Sequence, residues 1–426
     1  MTILIVGGGG REHAIAEKIA ENPKVEKIYA APGNGGMAAF CELVPLSATD
    51  VAGIVSFAQT HAVDFVVVAQ DDPLCLGMVD ALKKVSIPAF GPEQRAAMIE
   101  GSKVFAKDLM RRYGIPTAQY RTFRSYEAAE RFLREDAVFP LVVKADGLAL
   151  GKGVLICETK EKAISAVRAM MKEEKFGAAG RSVVIEEYLE GPEVSVLAFT
   201  DGRTVVPMVS SMDHKRALDG DVGLNTGGMG TVAPNPYYTH AIAERAMKEI
   251  FLPTIEAMNR EGRTFRGCLY FGLMLTADGP KVIEYNCRFG DPETQVVLPL
   301  LKSDLLTVMQ ATVDGTLDQT PVEFSQESAC CVVIASGGYP VSYEKGFAIS
   351  GIEAANQAAH VYHAGTKLTD AGIVTSGGRV LGVTATAATL REAIDRAYKA
   401  ADQIHFEHSF MRRDIGQRAL KAEEKV

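Results

Sequence analysis

The chain has 426 residues, 47% of them hydrophobic and 23% charged, with a formal net charge of −8. At roughly 150 residues per domain this length exceeds a single core and suggests about three domains, and the apolar fraction excludes wholesale disorder. The acidic balance argues against a nucleic-acid coat or a binder of anionic membranes, both of which need a basic surface, but not against a local basic pocket for a phosphate.

No apolar run approaches the ~18 residues of a membrane span. The chain opens Met1-Thr2-Ile3-Leu4-Ile5-Val6 and four glycines, without the basic leader and long apolar stretch of a secretory signal. Seven cysteines, at 41, 75, 157, 268, 287, 330 and 331, include no Cys-x-x-Cys pair. Disulfides and structural zinc are therefore not expected, and a reducing cytoplasm fits.

In the first hundred residues, apolar runs at 3–6, 27–30, 65–69 and 89–90 read as buried strands, and 12–21, 51–60 and 74–84 as helices between them. This alternation predicts an α/β unit with a parallel sheet, whose ligands sit at the strand C-termini. Near residue 101 the texture changes. Residues 102–113 read as a helix with Phe105, Leu109 and Tyr113 on one face, stopped by Gly114 and Pro116. An α+β section follows, with strand pairs 141–145 with 154–157, 183–187 with 195–200, and a hairpin of 269–276 with 281–286 around Ala277-Asp278-Gly279-Pro280. A polar stretch at 318–328 marks a boundary. Beyond it 329–335, 361–363 and 379–386 read as strands and 390–404 as a helix.

The loop Gly7-Gly8-Gly9-Gly10 follows a strand and opens a helix. Free backbone N–H groups and the helix dipole suit an anion there. A dinucleotide fingerprint fails, because Glu12 or His13 stands at its third glycine and the next strand ends Tyr29-Ala30-Ala31-Pro32, with no acid for a ribose. A smaller phosphorylated or ribose-bearing ligand fits, as does a mere tight turn.

A second glycine loop runs from Lys144 through Gly147 and Gly151-Lys152-Gly153. It is one residue short of a Walker A loop, has Gly153 where Ser or Thr would hold Mg²⁺, and leads into a strand instead of a helix. Such a loop between antiparallel strands suits a lid over a triphosphate, or is simply solvated. Lys144 lies in an apolar run, where a buried ammonium needs an anion, phosphate being the natural one. Lys103 sits in the first turn of its helix, where the dipole disfavours a cation, and makes a second phosphate contact.

In Val282-Ile283-Glu284-Tyr285-Asn286-Cys287-Arg288 the period of two puts Glu284, Asn286 and Arg288 on one strand face. A carboxylate and an amide oxygen suit Mg²⁺, and Arg288 a carboxylate or phosphoryl group; a polar outer strand face is the plain alternative. Asp291, Pro292 and Glu293 turn the chain beyond them. Asp213-His214-Lys215-Arg216 and Asn225-Thr226-Gly227-Gly228-Met229-Gly230 have the composition of a substrate loop. His360 and His363 read as ordinary strand and loop histidines.

Together these motifs resemble the ATP-grasp superfamily and, within it, the phosphoribosylamine–glycine ligases (glycinamide ribonucleotide synthetases). The resemblance runs from Gly7–Gly10 with Arg11-Glu12-His13-Ala14 to Arg413-Asp414-Ile415-Gly416, and one copy of the motif set suggests a monofunctional chain. It implies a Rossmann-like pre-ATP-grasp domain at 1–101, an ATP-grasp domain at 102–325 with a mobile lid at about 121–190, and a small α+β C-terminal domain at 326–426. It implies that Lys103 and Lys144 contact ATP phosphates beneath a lid that includes Gly151 and Gly153. Glu186, Glu187 and Leu189 would form the adenine hinge, and Glu193 would hold the ribose. Glu284 and Asn286 would hold Mg²⁺ or Mn²⁺. Gly9, Gly10, Arg11, Glu12, His13, Gly33 and Asn34 would take 5-phosphoribosylamine. Asp213, Lys215 and Arg288, with Asn225, Thr226, Gly227, Gly228, Asp291, Pro292 and Glu293, would place glycine and its acyl phosphate. The implied reaction joins glycine to phosphoribosylamine with ATP, in a cytoplasmic monomer with at most transient contact with the upstream amidotransferase.

The sequence departs from that family at Ala69-Gln70-Asp71-Asp72, where Gly-Pro-Glu is usual, at Leu150 in the lid and at Leu224 in place of a proline. The first of these bears on sugar recognition. Other readings are a carboxylase or formyltransferase of the same superfamily, a non-catalytic nucleotide sensor, and an NAD oxidoreductase, the last weakened by Glu12.

Overall fold

A computed structural model describes residues 1–148, 153–173 and 175–424. Its N-terminal part is a five-stranded parallel sheet in the order Glu42–Leu43, Lys27–Pro32, Thr2–Gly7, Phe65–Val68, Ala89–Phe90. Ile3, Leu4, Ile5 and Val6 are wholly buried, as the central strand of a sheet covered on both faces requires. The strand order reverses between Thr2–Gly7 and Phe65–Val68. At that switch point the glycine loop and the Ala69–Asp72 segment come side by side. The helix expected at 74–84 is two pieces, Asp71–Cys75 and Met78–Lys84, because Gly77 breaks it in the left-handed region (φ 84°). The two-residue strand Glu42–Leu43 and the helix Gln94–Gly101 carry too little periodic signal to be read from sequence.

Lys103–Tyr113 is capped by Ser102 and ends on Gly114, with φ 67°. After it the chain builds a four-stranded antiparallel sheet in the order Tyr120–Phe123, Val183–Glu187, Leu141–Ala145, Val154–Cys157. Two helices, Tyr126–Glu135 and Lys160–Met171, cover it through a core of their own that includes Leu133, Val143, Val167 and Met170. A second antiparallel sheet runs Val205–Pro207, Glu193–Thr200, Gly267–Thr276, Gly279–Asn286. The expected pairing of 183–187 with 195–200 is therefore wrong. The two strands belong to different sheets, and residues 188–192 are the crossing between them. Pro192 is held there by Leu275 N–H.

The last sheet runs Met212–Asp213, Gly230–Ala233, Ser328–Ser336, Arg379–Ala387, His360–His363, with Ser409–Phe410 also on Ser328–Ser336. Two of its strands precede the polar stretch at 318–328, so the chain weaves back across that point. The helix expected to reach 404 stops at Ala401, and the hairpin Thr366–Thr369 with Gly372–Thr375 had no expectation. Phe90, Phe199 and Phe289, with ring centroids 5.9–6.3 Å apart, join the parallel sheet, the second sheet and the turn after Arg288. All seven cysteines are free thiols, and all but Cys75 are buried. No helix among the described residues is long and apolar enough to cross a membrane.

His214 fastens the Met212–Asp213 strand to the C-terminal segment. Its ring lies 3.1 Å from Gly230 O through Nδ1, and Nε2 accepts from Gly416 N–H at 3.2 Å, which fixes a neutral tautomer. Burial, then Arg412 and Arg418, push its pKa down to about 4 from the usual 6.5. The unfolded chain takes the proton first, so this contribution is intact above pH 6.5 and is lost as the pH falls toward 4. Between pH 7 and 5 it should cost about 2 kcal/mol of unfolding free energy. Urea denaturation at both pH values should show a smaller loss in His214→Gln than in the parent; equal losses would remove His214 from the account.

Candidate active site

Lys144 is buried on Leu141–Ala145 and reaches out of its sheet to the neighbouring one. Its Nζ donates to Ile283 O at 3.0 Å and pairs with Glu186 Oε2 at 3.0 Å. A bulge in the strand pairing skips Ile283, which frees that carbonyl. The expected phosphate is thus preceded by a protein anion: Glu186 bridges Lys144 and Lys107, the latter at 3.1 Å. Burial, against the pull of Glu186, takes the Lys107 pKa down to about 8. Among the described residues, Glu186 Oε1 is buried with no hydrogen-bond partner.

Lys103 Nζ donates to Gly147 O (3.1 Å), and Asp146 caps the same helix start through Ser102 Oγ and Val104 N–H. The glycine loop is thereby anchored at its first residues. Gly153 O accepts from Ala145 N–H at 2.8 Å at the other end, whereas Gly151 lies outside the described residues. Burial lowers the Lys103 pKa, with Glu284 opposing the shift.

Glu284 gathers these cations. Burial opposes its charge, but Lys215, Lys144, Lys103 and Arg288 around it hold its carboxyl below the usual range. Lys215 lies 3.7 Å from Glu284 and 2.9 Å from Glu193. Asn286 and Arg288 follow on the same strand and its end. Asn286 Nδ2 donates to Glu100 Oε1 (3.0 Å), which leaves its carbonyl oxygen as the donor atom toward the site. Arg288 Nη2 donates to the same Glu100 oxygen at 2.9 Å, while Arg288 Nε is buried without a partner among the described residues. An open carboxylate beside an amide oxygen is the donor chemistry of a hard divalent cation that shares phosphate ligands. The residues present therefore fit such a metal.

The hinge residues divide by exposure. Glu186 is buried, Glu187 is exposed and accepts from Gln119 N–H at 3.0 Å, and Leu189 is partly buried on the crossing between the sheets.

The N-terminal loop meets this cluster from the other side. Gly9 N–H donates to Glu12 Oε2 at 2.6 Å, and Arg11 Nε to Glu12 Oε1 at 2.6 Å. Glu12 thus faces its own loop instead of repelling a ligand, and burial raises its pKa against the pull of Arg11. Arg11 also donates its N–H to Asp291 Oδ2 (3.3 Å) and Nη1 to Phe289 O (3.2 Å). Gly8 packs directly on Gly33, and a Cβ at Gly8 would overlap the Gly33 carbonyl. Gly10 lies against Gln295. Asn34 and His13 are turned to structural partners. Asn34 Nδ2 donates to Gly8 O and His363 O, and His13 Nδ1 accepts from His363 N–H while Nε2 meets Glu17 at 2.9 Å. Asp71, from the departing segment, lies in the field of Arg288 and Arg11. They hold its carboxyl below the usual range despite burial.

The glycine-rich segment is folded by Arg379, which donates Nη1 to Gly227 O (2.7 Å) and Asp291 O (2.8 Å) and pairs with Asp291 Oδ1 at 3.3 Å. Asn225 pairs with Arg216 in a short hairpin, and Thr226 Oγ1 donates to Lys215 O. Gly228 sits between Asp213 and Pro292 at φ 111°, with no room for a side chain. Asp213 and Glu293 are neighbouring acids. Burial and Glu293 raise the Asp213 pKa well above the usual range, against Lys215 and Arg379. Glu293 Oε1 accepts from Ser195 Oγ at 3.2 Å.

The sequence-derived residues thus come together from several parts of the chain, with Lys103, Lys144 and Lys215 around Glu284, and Arg11, together with Arg379, around Asp291. Sequence reasoning missed Glu100, Lys107 and Arg379. Lys107, inside an amphipathic helix, and Glu100, buried beside Gly101, were visible only as charges on apolar faces.

Models of the phosphoribosylglycinamide synthetase family match the chain in its N domain (residues 1–100), ATP-grasp (A) domain (101–294) and C domain (329–418). A phosphoribosylamine–glycine ligase of Halalkalibacterium halodurans is 49% identical over 99% of this chain and 97% of its own length. One of Vibrio cholerae is 48% identical over the full length of both. The crystal structure of a phosphoribosylamine–glycine ligase from Thermotoga maritima superposes with a TM-score of 0.86 at 35% identity, covering 97% of this chain and all of the other. The three domain matches, in chain order and with the site residues drawn from all three, make this chain a member of the phosphoribosylglycinamide synthetase family.

Proposed function

We infer that the chain is an ATP-dependent ligase joining glycine to 5-phosphoribosylamine, through glycyl phosphate, to give glycinamide ribonucleotide, ADP and phosphate in de novo purine biosynthesis. One observation carries the chemistry: Glu284 lies in the field of four cations, Lys215, Lys144, Lys103 and Arg288, with Lys215 3.7 Å away. Family membership over the whole chain sets aside the carboxylase, formyltransferase, sensor and oxidoreductase readings.

Glycine's carboxylate attacks the γ-phosphorus of ATP, and ADP leaves. The 1-amino group of phosphoribosylamine then attacks the acyl carbon and expels phosphate. The protein supplies no nucleophile; it positions, neutralises charge and excludes water from the acyl phosphate. Lys103 and Lys144 bind the phosphates, and Lys144 exchanges Glu186 for them. Glu186 Oε1, buried and unpartnered, accepts the adenine amino group beside Leu189, and Glu193 takes the ribose. Arg288 aims its free Nε at the transferred phosphoryl group. Asp213, with Glu293, receives the glycine ammonium, and Lys215 steadies the acids around it. The Gly8–Arg11 loop at the sheet's switch point takes the sugar phosphate, with Asp71 facing the ribose.

Glu284 and Asn286 hold a divalent metal, which when bound offsets charge on the phosphates; oxygen donors favour Mg²⁺, with Mn²⁺ as substitute. The working unit is a cytoplasmic monomer of three domains, 1–101, 102–325 with a lid at about 121–190, and 326–426. The separate core under the lid sheet supports that division. Because phosphoribosylamine is labile in water, direct transfer from the amidotransferase that makes it suits this enzyme.

The deciding measurement is ADP release from ATP and Mg²⁺, with glycine, with and without freshly generated phosphoribosylamine. Release that needs both substrates is expected; release with another carboxylate alone would move the substrate assignment. Lys144→Ala should cost about 10²–10³ in kcat through the lost phosphate contact, while Lys107 keeps Glu186 paired and the fold intact. Unchanged kinetics would refute the role. Glu284→Ala should raise the Mg²⁺ concentration for half-maximal rate at least about tenfold; an unaltered titration would take the metal away from this residue.

A further inference from the structure

Glu100 is the last acid of the helix Gln94–Gly101 and only 6% exposed, yet it carries no partner from its own neighbourhood in sequence. Its two oxygens serve three consecutive residues more than 180 positions away. Oε1 accepts from Asn286 Nδ2 (3.0 Å) and Arg288 Nη2 (2.9 Å), and Oε2 accepts from Cys287 N–H (2.6 Å). Burying a carboxylate is costly unless it is fully engaged, and this one is engaged wholly with the end of the strand that carries Glu284. The contacts add to what the chain itself holds by one bond each, Asn286 Nδ2 to Tyr285 O (2.9 Å) and Arg288 Nη1 to Phe289 O (3.3 Å). The Asn286 amide has two faces, and tying its nitrogen to Glu100 leaves the carbonyl oxygen for the site. The Arg288 guanidinium has five N–H donors, and tying Nη2 orients the remaining edge, with Nε left buried and unpartnered.

We propose that Glu100 is the positioning residue of the site: it sets the metal-facing orientation of Asn286 and the phosphoryl-facing edge of Arg288 through one shared carboxylate. It touches no substrate. This rests on the assignment of Asn286 to the metal and adds the residue that makes that amide a ligand. An outer partner of this kind typically contributes about 10–100-fold to metal affinity.

The test is Mn²⁺ binding to the full-length enzyme with ADP, followed by electron paramagnetic resonance, beside ADP binding without metal and the thermal midpoint. Glu100→Gln keeps the shape but offers one oxygen where two accept, so one N–H loses its acceptor. The expected result is Mn²⁺ affinity about tenfold weaker, with metal-free ADP affinity nearly unchanged and a lower midpoint, since Arg288 loses its buried counter-ion. On an Asn286→Ala background the same substitution should add little further loss, because its effect passes through Asn286. If Asn286→Ala weakens Mn²⁺ binding and Glu100→Gln does not, the proposal falls while the metal assignment stands. If Asn286→Ala itself leaves Mn²⁺ affinity unchanged, the metal assignment falls instead and takes the proposal with it. Equal losses of Mn²⁺ and metal-free ADP binding in Glu100→Gln would mean a general structural role and would also overturn it.

Discussion

The ion pair between Asp291 and Arg379 is the joint on which the site hangs. One Asp291 oxygen takes the guanidinium of Arg379, from the last sheet, and the side-chain amide of Gln295; the other takes the N–H of Arg11, from the first helix. Arg379 spends its other contact on the carbonyls of Gly227 and Asp291. Three separate parts of the chain thus meet at one carboxylate. Burial opposes charge on Asp291, but Arg379 and Arg11 hold its carboxyl below the usual range, so the joint stays ionised across ordinary pH. A buried pair broken by removal of one partner leaves an uncompensated charge, and here it would also release the glycine-rich segment and the N-terminal loop together.

Around that joint, three of the site's cations already have a resident anion, while Lys103 rests on the Gly147 carbonyl. Lys144 has Glu186, Lys215 has Glu193 and Glu284, and Arg288 has Glu100 with Asp71 nearby. This is how a buried cation cluster exists before any ligand arrives, since isolated buried charges would shift or neutralise. On the proposed assignment, it also makes the Lys144 position selective for ligands whose oxygen anions can take the place of Glu186. A neutral ligand would leave the pairs as they are.

Much of this was legible in the sequence because it is local. The parallel sheet announces itself by apolar runs between amphipathic helices, and the period of two at Glu284, Asn286 and Arg288 reads directly from the strand. Lys144 was marked by its setting, a charge in an apolar run. What was not legible is non-local. Whether 183–187 pairs with 195–200 or with 141–145 is invisible in alternation, since either sheet buries the same face. Glu100 and Arg379 meet their partners across 88 to 188 residues, and no spacing rule reaches that far. The resident partner of Lys144 escaped the sequence for a related reason. The argument for an anion was sound, but a carboxylate of the same chain satisfies it before any phosphate does.

The departure at Ala69-Gln70-Asp71-Asp72 gains a physical meaning from its place in the fold. It follows the strand Phe65–Val68, across the switch point from Gly8–Gly10. Asp71 is one methylene shorter than the glutamate usual in the family, which draws its carboxylate back toward the backbone. It nonetheless lies in the field of Arg288 and Arg11, and those two cations keep it charged despite burial. The feature that survives the change is therefore an anion between Arg288 and the N-terminal loop. On the proposed assignment, a sugar whose hydroxyls donate to that anion would be coupled through Arg288 to the reacting phosphate. Reach, and not charge, is what this sequence has altered, so on the proposed assignment its effect belongs in the fit of the sugar and not in the chemistry of activation.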